Sequence, residues 1–345
     1  MPTVRTAAVI GAGIAGPVTA LALHKAGIEA TIFEDHRTSA EGLGGTFGLA
    51  PNGVAALEIV GVEPTGQPIH HQQLSLNGKL IRLPSLSGAG PLQMIRRGDL
   101  YRLLHDRVAA EGIRIEHGKR LSSVREEPGA VTAVFADGDT RRFDVLIGAD
   151  GVHSTVRKLI DPSAPEPRFT GMVSIEGRSA TEVPVDPDTA TFAFGKHGYY
   201  LYWATPGGGT VWGVNLPHRP MSIAESRAIP GEQWMAILLQ TYGDDDPGAA
   251  ILRGTDPADL LANGALHIMP RAPHWHRARM ALVGDAVHAP SNSSGQGASL
   301  AIESAIELAR CLRDIADVTD AFAAYERLRR NRVEQIAARL PGSTR

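Results

Sequence analysis

Glycines and acids recur together at three places along the chain, each time at the end of an apolar run. Gly11-Ala12-Gly13-Ile14-Ala15-Gly16 follows Val4 to Ile10, Gly148-Ala149-Asp150-Gly151 follows Asp144 to Ile147, and Gly284-Asp285, with Gly295-Gln296-Gly297 beyond it, follows Met280 to Val283. Glycine lets the backbone approach a phosphate closely. A helix that starts there offers N–H groups to negative charge, and a carboxylate accepts hydrogen bonds from sugar hydroxyls. The first cluster opens the helical stretch Ala15 to Lys25. Glu34 ends the next predicted strand, Glu29 to Glu34, about 20 residues downstream, where an acid suits a free ribose 2′-OH rather than a 2′-phosphate. The chemistry these residues can do together is to hold one long dinucleotide.

The elements that must position them follow from pattern and punctuation. After Glu34 comes a glycine-rich loop, Glu41 to Asn52, too long for a plain connector. A short helix, Val54 to Ile59, leads to Gln72–Leu76 and Lys79–Leu83, which flank the hairpin signal Asn77-Gly78. Asp99 is expected to cap a helix that ends at Gly112, and Ile113 to Glu116 returns to the first sheet. Val124 to Phe143 reads as a meander turning at Asp137-Gly138. From Asp161 the text changes to strands with Gly and Pro turns as far as Leu216, an antiparallel second domain in which Phe192, Phe194, Tyr199, Tyr200, Tyr202, Trp203 and Trp212 collect. Aromatics favour sheets for packing alone, yet Tyr200 and Tyr202 share one face and could offer hydroxyls to a planar substrate. Helices are expected at Glu232 to Tyr242, Gly297 to Leu312 and Asp320 to Leu340, with a polar linker after the first. In Gly171 to Arg178, alternation puts Ser174, Glu176 and Arg178 on one face, which by itself reads as an exposed polar face.

Composition bounds the function. The chain has 345 residues, 43% of them hydrophobic, so it can bury a substantial core. Net charge is -3 with scattered Lys and Arg, which leaves no electrostatic footprint for nucleic acid or an anionic membrane. The basic run Arg327, Arg329, Arg330, Arg332 reads as the solvated side of a helix. One cysteine, Cys311, excludes an intrachain disulfide and reads as a buried small hydrophobe. No metal-spaced His cluster is present, and His274, Trp275 and His276 read as structural or surface residues. No apolar run approaches the ~20 residues of a membrane span, and the first strand leaves no room for a signal peptide. The expectation is a cytoplasmic protein, a monomer or homodimer.

Taken together, the three clusters resemble the FAD-dependent monooxygenases of the aromatic-hydroxylase type, which include p-hydroxybenzoate hydroxylase, salicylate hydroxylase and the tetracycline-inactivating monooxygenases. The resemblance runs from Gly11 to Ala323-Ala324-Tyr325-Glu326 and beyond. It implies an α/β fold: a Rossmann-like FAD-binding domain of three layers (β-β-α) from residues 1–70, 95–162 and 268–318, an inserted antiparallel-sheet substrate domain from 71–94 and 163–267, and a C-terminal helix at 319–345. Gly11, Gly13, Gly16 and Glu34 then resemble the pyrophosphate and ribose contacts. Arg97, in Ile95-Arg96-Arg97-Gly98-Asp99-Leu100, would reach back to the flavin, its alternative being a pair with Asp99. Asp150, in the match that runs through Ser154 and Arg157, would handle FAD and nicotinamide. Asp285 would bind sugar hydroxyls, while Gly295, Gln296 and Gly297 would open the helix beside the flavin pyrimidine ring, where an N-terminus stabilises the anionic reduced ring. The strand of Glu176 would border the active site, making Glu176 a substrate contact. Asn292 stands where the family commonly has proline, two residues after Pro290, so the oxygen-reacting face is expected to be shaped differently. The family's relatives also generally continue through more C-terminal helical structure than Arg345 leaves room for.

The implied cofactors are noncovalent FAD and NAD(P)H as a transient co-substrate, since one fingerprint leaves no second Rossmann unit. The implied partners are O2 and a small aromatic or polycyclic substrate, oxygenated through a flavin C4a-hydroperoxide. The rivals are a flavin dehydrogenase or reductase, a halogenase, disfavoured by the lack of a Trp-x-Trp-x-Ile segment, and a flavin-binding protein without turnover.

Overall fold

A computed structural model describes residues 4–38, 44–76, 78–84 and 90–338. Glu41 and Gly42 of the glycine-rich loop, Asn77 of the hairpin turn and Leu340 of the last helix lie outside the described residues.

The chain begins with β1 (Thr6–Ile10), α1 (Ala15–Lys25) and β2 (Glu29–Glu34), a parallel pair joined by its crossover helix. Ala7, Ala8 and Val9 are fully buried because both sheet faces are covered, which is why the run is uniformly apolar rather than alternating. There follow β3 (Thr46–Leu49), α2 (Pro51–Ile59), β4 (Gln67–Ile69), the hairpin β5 (His71–Leu76) and β6 (Lys79–Arg82), then β7 (Leu92–Arg96) and α3 (Arg97–Ala110). Strand β7 runs straight into α3, so Asp99 lies in the first turn and does not cap it. No side-chain cap bond forms at Arg96, and Asp99 pairs with Arg102 at 3.2 Å.

Next come β8 (Arg114–His117), the meander β9 (Leu121–Glu127), β10 (Ala130–Phe135) and β11 (Thr140–Phe143), then β12 (Val145–Gly148) and α4 (Thr155–Ile160). Four long strands follow, β13 (Arg168–Ser179), β14 (Thr189–Phe194), β15 (Tyr199–Ala204) and β16 (Thr210–Pro217). Helices α5 (Ile223–Ala228), α6 (Gly231–Tyr242) and α7 (Gly248–Arg253) lead to β17 (Leu261–Ile268), β18 (His276–Arg277), β19 (Met280–Leu282), α8 (Gly297–Asp314) and α9 (Val318–Ala338).

Two sheets dominate. The first has the order β18-β19-β12-β1-β2-β8 and is parallel except for β18. The meander covers one face through Phe33, whose ring lies 4.6 Å from Phe135 and 5.8 Å from Phe143, and Gly16 of α1 packs on Val9, which gives the three-layer β-β-α arrangement. The second sheet has the order β17-β13-β16-β15-β14-β5-β6. It departs from the expected antiparallel sheet in two ways. Strand β5 pairs parallel to β14, and β17 occupies part of what reads as linker. A small antiparallel sheet has the order β3-β7-β4.

The basic run on α9 is solvated only in part: Arg327 and Arg332 are exposed, as expected, but Arg329 and Arg330 turn inward. Arg329 is buried and donates to Glu303 and Ser304 of α8, while Arg330 lies over Trp275 and donates to the Ala272 and Pro273 carbonyls. Glu303 also accepts from Arg332 and Asn52, so this carboxylate gathers α2, α8 and α9. Charge paired in this way can be buried where a solitary one cannot. Cys311 is buried, as expected. Among the described residues no helix is long and apolar enough to cross a membrane.

Candidate functional site

Strands β19, β12 and β1 are adjacent and parallel, so the three glycine clusters at their carboxyl ends meet in one crevice. Gly11 has φ +103°, and a Cβ there would stand 2.5 Å from the Ala149 carbonyl of the second cluster. At Gly16 a Cβ would stand 1.9 Å from the Gly11 carbonyl, so this helix–loop contact excludes any side chain. Gly13 and Gly295 face open space. Helices α1 and α8 both begin without a side-chain cap and without an acid in the first turn. Their first N–H groups and positive ends are therefore left to meet an external anion.

The acids differ in what they already hold. Glu34 accepts from the N–H of Ala12 at 2.7 Å and of His36 at 3.0 Å, which ties β2 to the first glycine loop. Asp150 spends both oxygens on the start of α4, accepting from Ser154 Oγ at 2.5 Å and the Val156 N–H at 3.0 Å; burial raises its pKa, and these bonds oppose the rise. Arg157, almost fully buried, donates to the carbonyls of Ala286 and Val152, both at 2.8 Å, and so joins the second cluster to the third. Asp285 makes no hydrogen bond among the described residues. Its residue is exposed to solvent, although enough protein surrounds the carboxyl for desolvation to act on it. Desolvation raises its pKa and the charge of Arg97 opposes the rise. Arg97 lies against Gly44 and donates its backbone N–H to the Gly45 carbonyl at 2.9 Å, while Asp99 pairs with Arg102 instead. These residues fit FAD: two uncapped helix ends, side-chain-free loops and an open carboxylate line one groove.

The opposite wall is a face of the second sheet. The register places Glu176, Gly213, Leu201, Phe192 and Leu74 in one row across it, with Ser174, Asn215, Tyr199, Phe194 and Leu76 in the next. Glu176 Oε2 accepts from the Thr46 N–H at 2.8 Å. Burial pushes its carboxyl up to about 7, against that bond and the charge of Arg96. Asn215 and Asn292 exchange amide hydrogen bonds at 2.9 and 3.2 Å, which fastens this face to the loop before α8. Asn292 thus takes a bonding role where proline was the expected type, while Pro290 lies beside Gly297.

Tyr200 and Tyr202 are not brought to this wall. They point to the other side of the sheet, stacked on each other at 5.9 Å and buried with Trp212, Trp234 and Tyr242 under α6. The tyrosine that shares a face with Glu176 is Tyr199, grouped with Phe192 and Phe194. Alternation correctly pairs residues two apart, but which set faces the cleft depends on partners that only the cross-strand register supplies. Asn215 escaped notice for the same reason. No group of three or more His, Cys, Asp or Glu among the described residues could hold a metal ion.

Comparison with known proteins agrees with this geometry. Residues 4–229 and 265–339 match the family model described as FAD binding domain. The chain is 31% identical to a 3-amino-4-hydroxybenzoate 2-monooxygenase of Streptomyces platensis, over 96% of this chain and 86% of that protein. It is 28% identical to the aurachin C monooxygenase/isomerase of Stigmatella aurantiaca, over 98% of this chain and 88% of that one. The solved structure of Klebsiella pneumoniae HpxO with FAD and uric acid is similar at a TM-score of 0.84 and 26% identity, covering 97% of this chain and 86% of that chain.

Proposed function

The chain belongs to the FAD binding domain family and is an FAD-dependent aromatic monooxygenase; we propose that its three glycine clusters hold the cofactor and that the Glu176 face holds the substrate. The observation that carries this reading is the meeting of two uncapped helix N-termini and the open carboxylate of Asp285 at three adjacent strand ends. Gly11, Gly13 and Gly16 would receive the pyrophosphate at the start of α1, and Glu34 the adenosine ribose. Asp285 would accept from hydroxyls of the cofactor chain, with Arg97 balancing its charge. Gly295, Gln296 and Gly297 would set the N-terminus of α8 against the pyrimidine edge of the flavin. Asp150 would act by ordering the turn that precedes α4.

When bound, FAD supplies the redox chemistry, reduction by NAD(P)H and activation of O2. The chain's own residues supply position and exclusion of water. Leu201 and Phe192 offer an apolar floor for a planar ring, Glu176 a polar contact at its edge, and the Asn215–Asn292 pair keeps that floor in register with α8. We include in this reading a transient nicotinamide visit, a small-molecule partner in place of nucleic acid or membrane, a cytoplasmic location, and a monomer or homodimer.

The test is direct. Purified protein should carry FAD that acid releases, and it should consume NADPH and O2 faster when phenols or polycyclic aromatics are added, with an oxygenated product by mass spectrometry. Flavin reduction without oxygenated product would point to a dehydrogenase instead.

A further inference from the structure

Helix α9 reaches the Asp285 turn at both of its ends. Before the turn, Tyr325 donates its hydroxyl to the carbonyl of Leu282, the last residue of β19, at 2.9 Å. After the turn, His288 Nε2 shares a hydrogen bond of 3.0 Å with Ser304 Oγ of α8, and the same Oγ accepts from Arg329 Nε at 3.2 Å. Tyr325 and Arg329 are four residues apart and so lie on one face of α9. Tyr325, Arg329, Ser304 and His288 are all buried. Among the described residues His288 Nδ1 has no partner, so the bond to Ser304 is the ring's one polar anchor. Burial and the charge of Arg329 push the His288 pKa down to about 3, which keeps the ring neutral.

Buried ionic groups seldom stabilise a fold better than apolar side chains of the same volume would. What their hydrogen bonds add is direction, because a helix held by apolar packing alone has no fixed register. The Asp285 turn needs that register. The Asp285 carboxylate accepts no hydrogen bond among the described residues, so the backbone of its turn alone aims it. That backbone is tied by Arg157 to the Ala286 carbonyl at 2.8 Å, by the Met269 N–H to the Ala289 carbonyl at 2.8 Å, and at Leu282 and His288 by α9. Glu303 pairs with Arg329, so the guanidinium brings no unbalanced charge to the turn.

We propose that Tyr325 and Arg329 are positioning residues for the cofactor: acting through Leu282 on one side and through Ser304 and His288 on the other, they hold the Asp285 carboxylate where the sugar hydroxyls of FAD meet it. This rests on the reading of Asp285 as a cofactor contact. The final helix is then part of the flavin site without touching the flavin.

The experiment is a double-mutant cycle on FAD affinity, measured by fluorescence titration of the apoprotein. Arg329→Met would leave Glu303 short of a partner, so the variants used are Ser304→Ala and Tyr325→Phe, each of which removes one hydroxyl. Either should weaken FAD binding about fivefold in the parent and by less than about twofold in an Asp285→Ala background, because the carboxylate through which they act is then gone. The melting temperature of the apoprotein reports their share in packing and should fall equally in both backgrounds. Equal losses of FAD affinity in the two backgrounds, or a lowered melting temperature with parental FAD affinity, would overturn the proposal and leave α9 a packing element. Asp285→Ala protein that binds FAD as tightly as the parent overturns the reading beneath it instead.

Discussion

The two walls of the cleft work by different means. On the six-stranded sheet the functional surface is backbone, made of glycine loops and helix ends in contact with one another, with Gly11 against Ala149 and Gly16 against Gly11. On the seven-stranded sheet the functional surface is side chains on a rigid floor, with Glu176, Tyr199 and Asn215 chosen by strand alternation. A wall of backbone has few ways to vary, so it suits a cofactor whose shape never changes. A wall of side chains can change one residue at a time without disturbing its hydrogen-bond ladder, so under the proposed reading it is where substrate choice would lie. Damage to the first wall should therefore abolish cofactor binding, and damage to the second should alter recognition while the flavin stays.

The largest expected effect breaks the backbone wall. Gly11→Val sets a β-branched residue at φ +103° and against the Ala149 carbonyl, a combination expected to cost more than about 4 kcal/mol. Flavin content per chain should fall below about a tenth of the parent's, and full occupancy would show that the close contact is dispensable. Asp285→Ala comes next. Loss of hydrogen bonds to a charged acceptor costs about 1.5 to 3 kcal/mol, so FAD should bind about tenfold to a hundredfold more weakly in a fluorescence titration, with recognition of the aromatic substrate intact once FAD saturates.

Effects on the side-chain wall are smaller and of another kind. Glu176 holds its proton to about 7 when folded and to about 4.5 when unfolded, so its contribution to stability is present below 4.5 and is lost as pH rises through 7. Glu176→Gln should remove that part of the decline in melting temperature between about pH 4.5 and 7, a few degrees for a chain of this size, and leave flavin content unchanged. A parallel decline in parent and variant would show that the carboxyl ionises normally. Asn292→Pro tests the strap between the walls. Ser291, at φ −55° and ψ 140°, already has the backbone that precedes proline, and position 292 opens a 3-10 turn, so the variant should fold with a melting temperature within about 2 °C of the parent. Without the amide pair to Asn215, KM for the aromatic substrate should rise severalfold while FAD affinity holds; unchanged KM would make the strap irrelevant to recognition. The smallest effect is Tyr200→Phe, which should leave KM alone because that ring lies behind the sheet, whereas Tyr199→Phe should change it.

The same contrast explains what the sequence made legible. Gly11, Gly16 and Asp285 could be placed because a strand, a tight turn and a helix in succession leave a local mark in spacing and residue type. Helix α1 and strand β2 could be bounded by the same marks. Tyr200 and Tyr202 were expected in the pocket, and Tyr199 was passed over, because alternation separates two faces without saying which is inward. That choice is made by α6, whose Trp234 and Tyr242 bury one face from a distance in sequence. Arg329 was expected in solvent because its partner, Glu303, lies on a different helix. Asp99 was expected as a cap because nothing local announced that β7 would continue into α3 without a break. Strand β17 was passed over because Asn263 and Gly264 interrupt it with turn residues, Gly264 at φ +76°.

The central claim is that one wall holds FAD and the other presents an aromatic substrate to it. It is tested most directly by acid release of flavin from the purified protein, followed by NADPH and O2 consumption by the same preparation with and without a hydroxyarene. The account predicts about one FAD per chain, released without proteolysis, and substrate-stimulated consumption that yields an oxygenated ring. Colourless protein that FAD cannot reconstitute would contradict it.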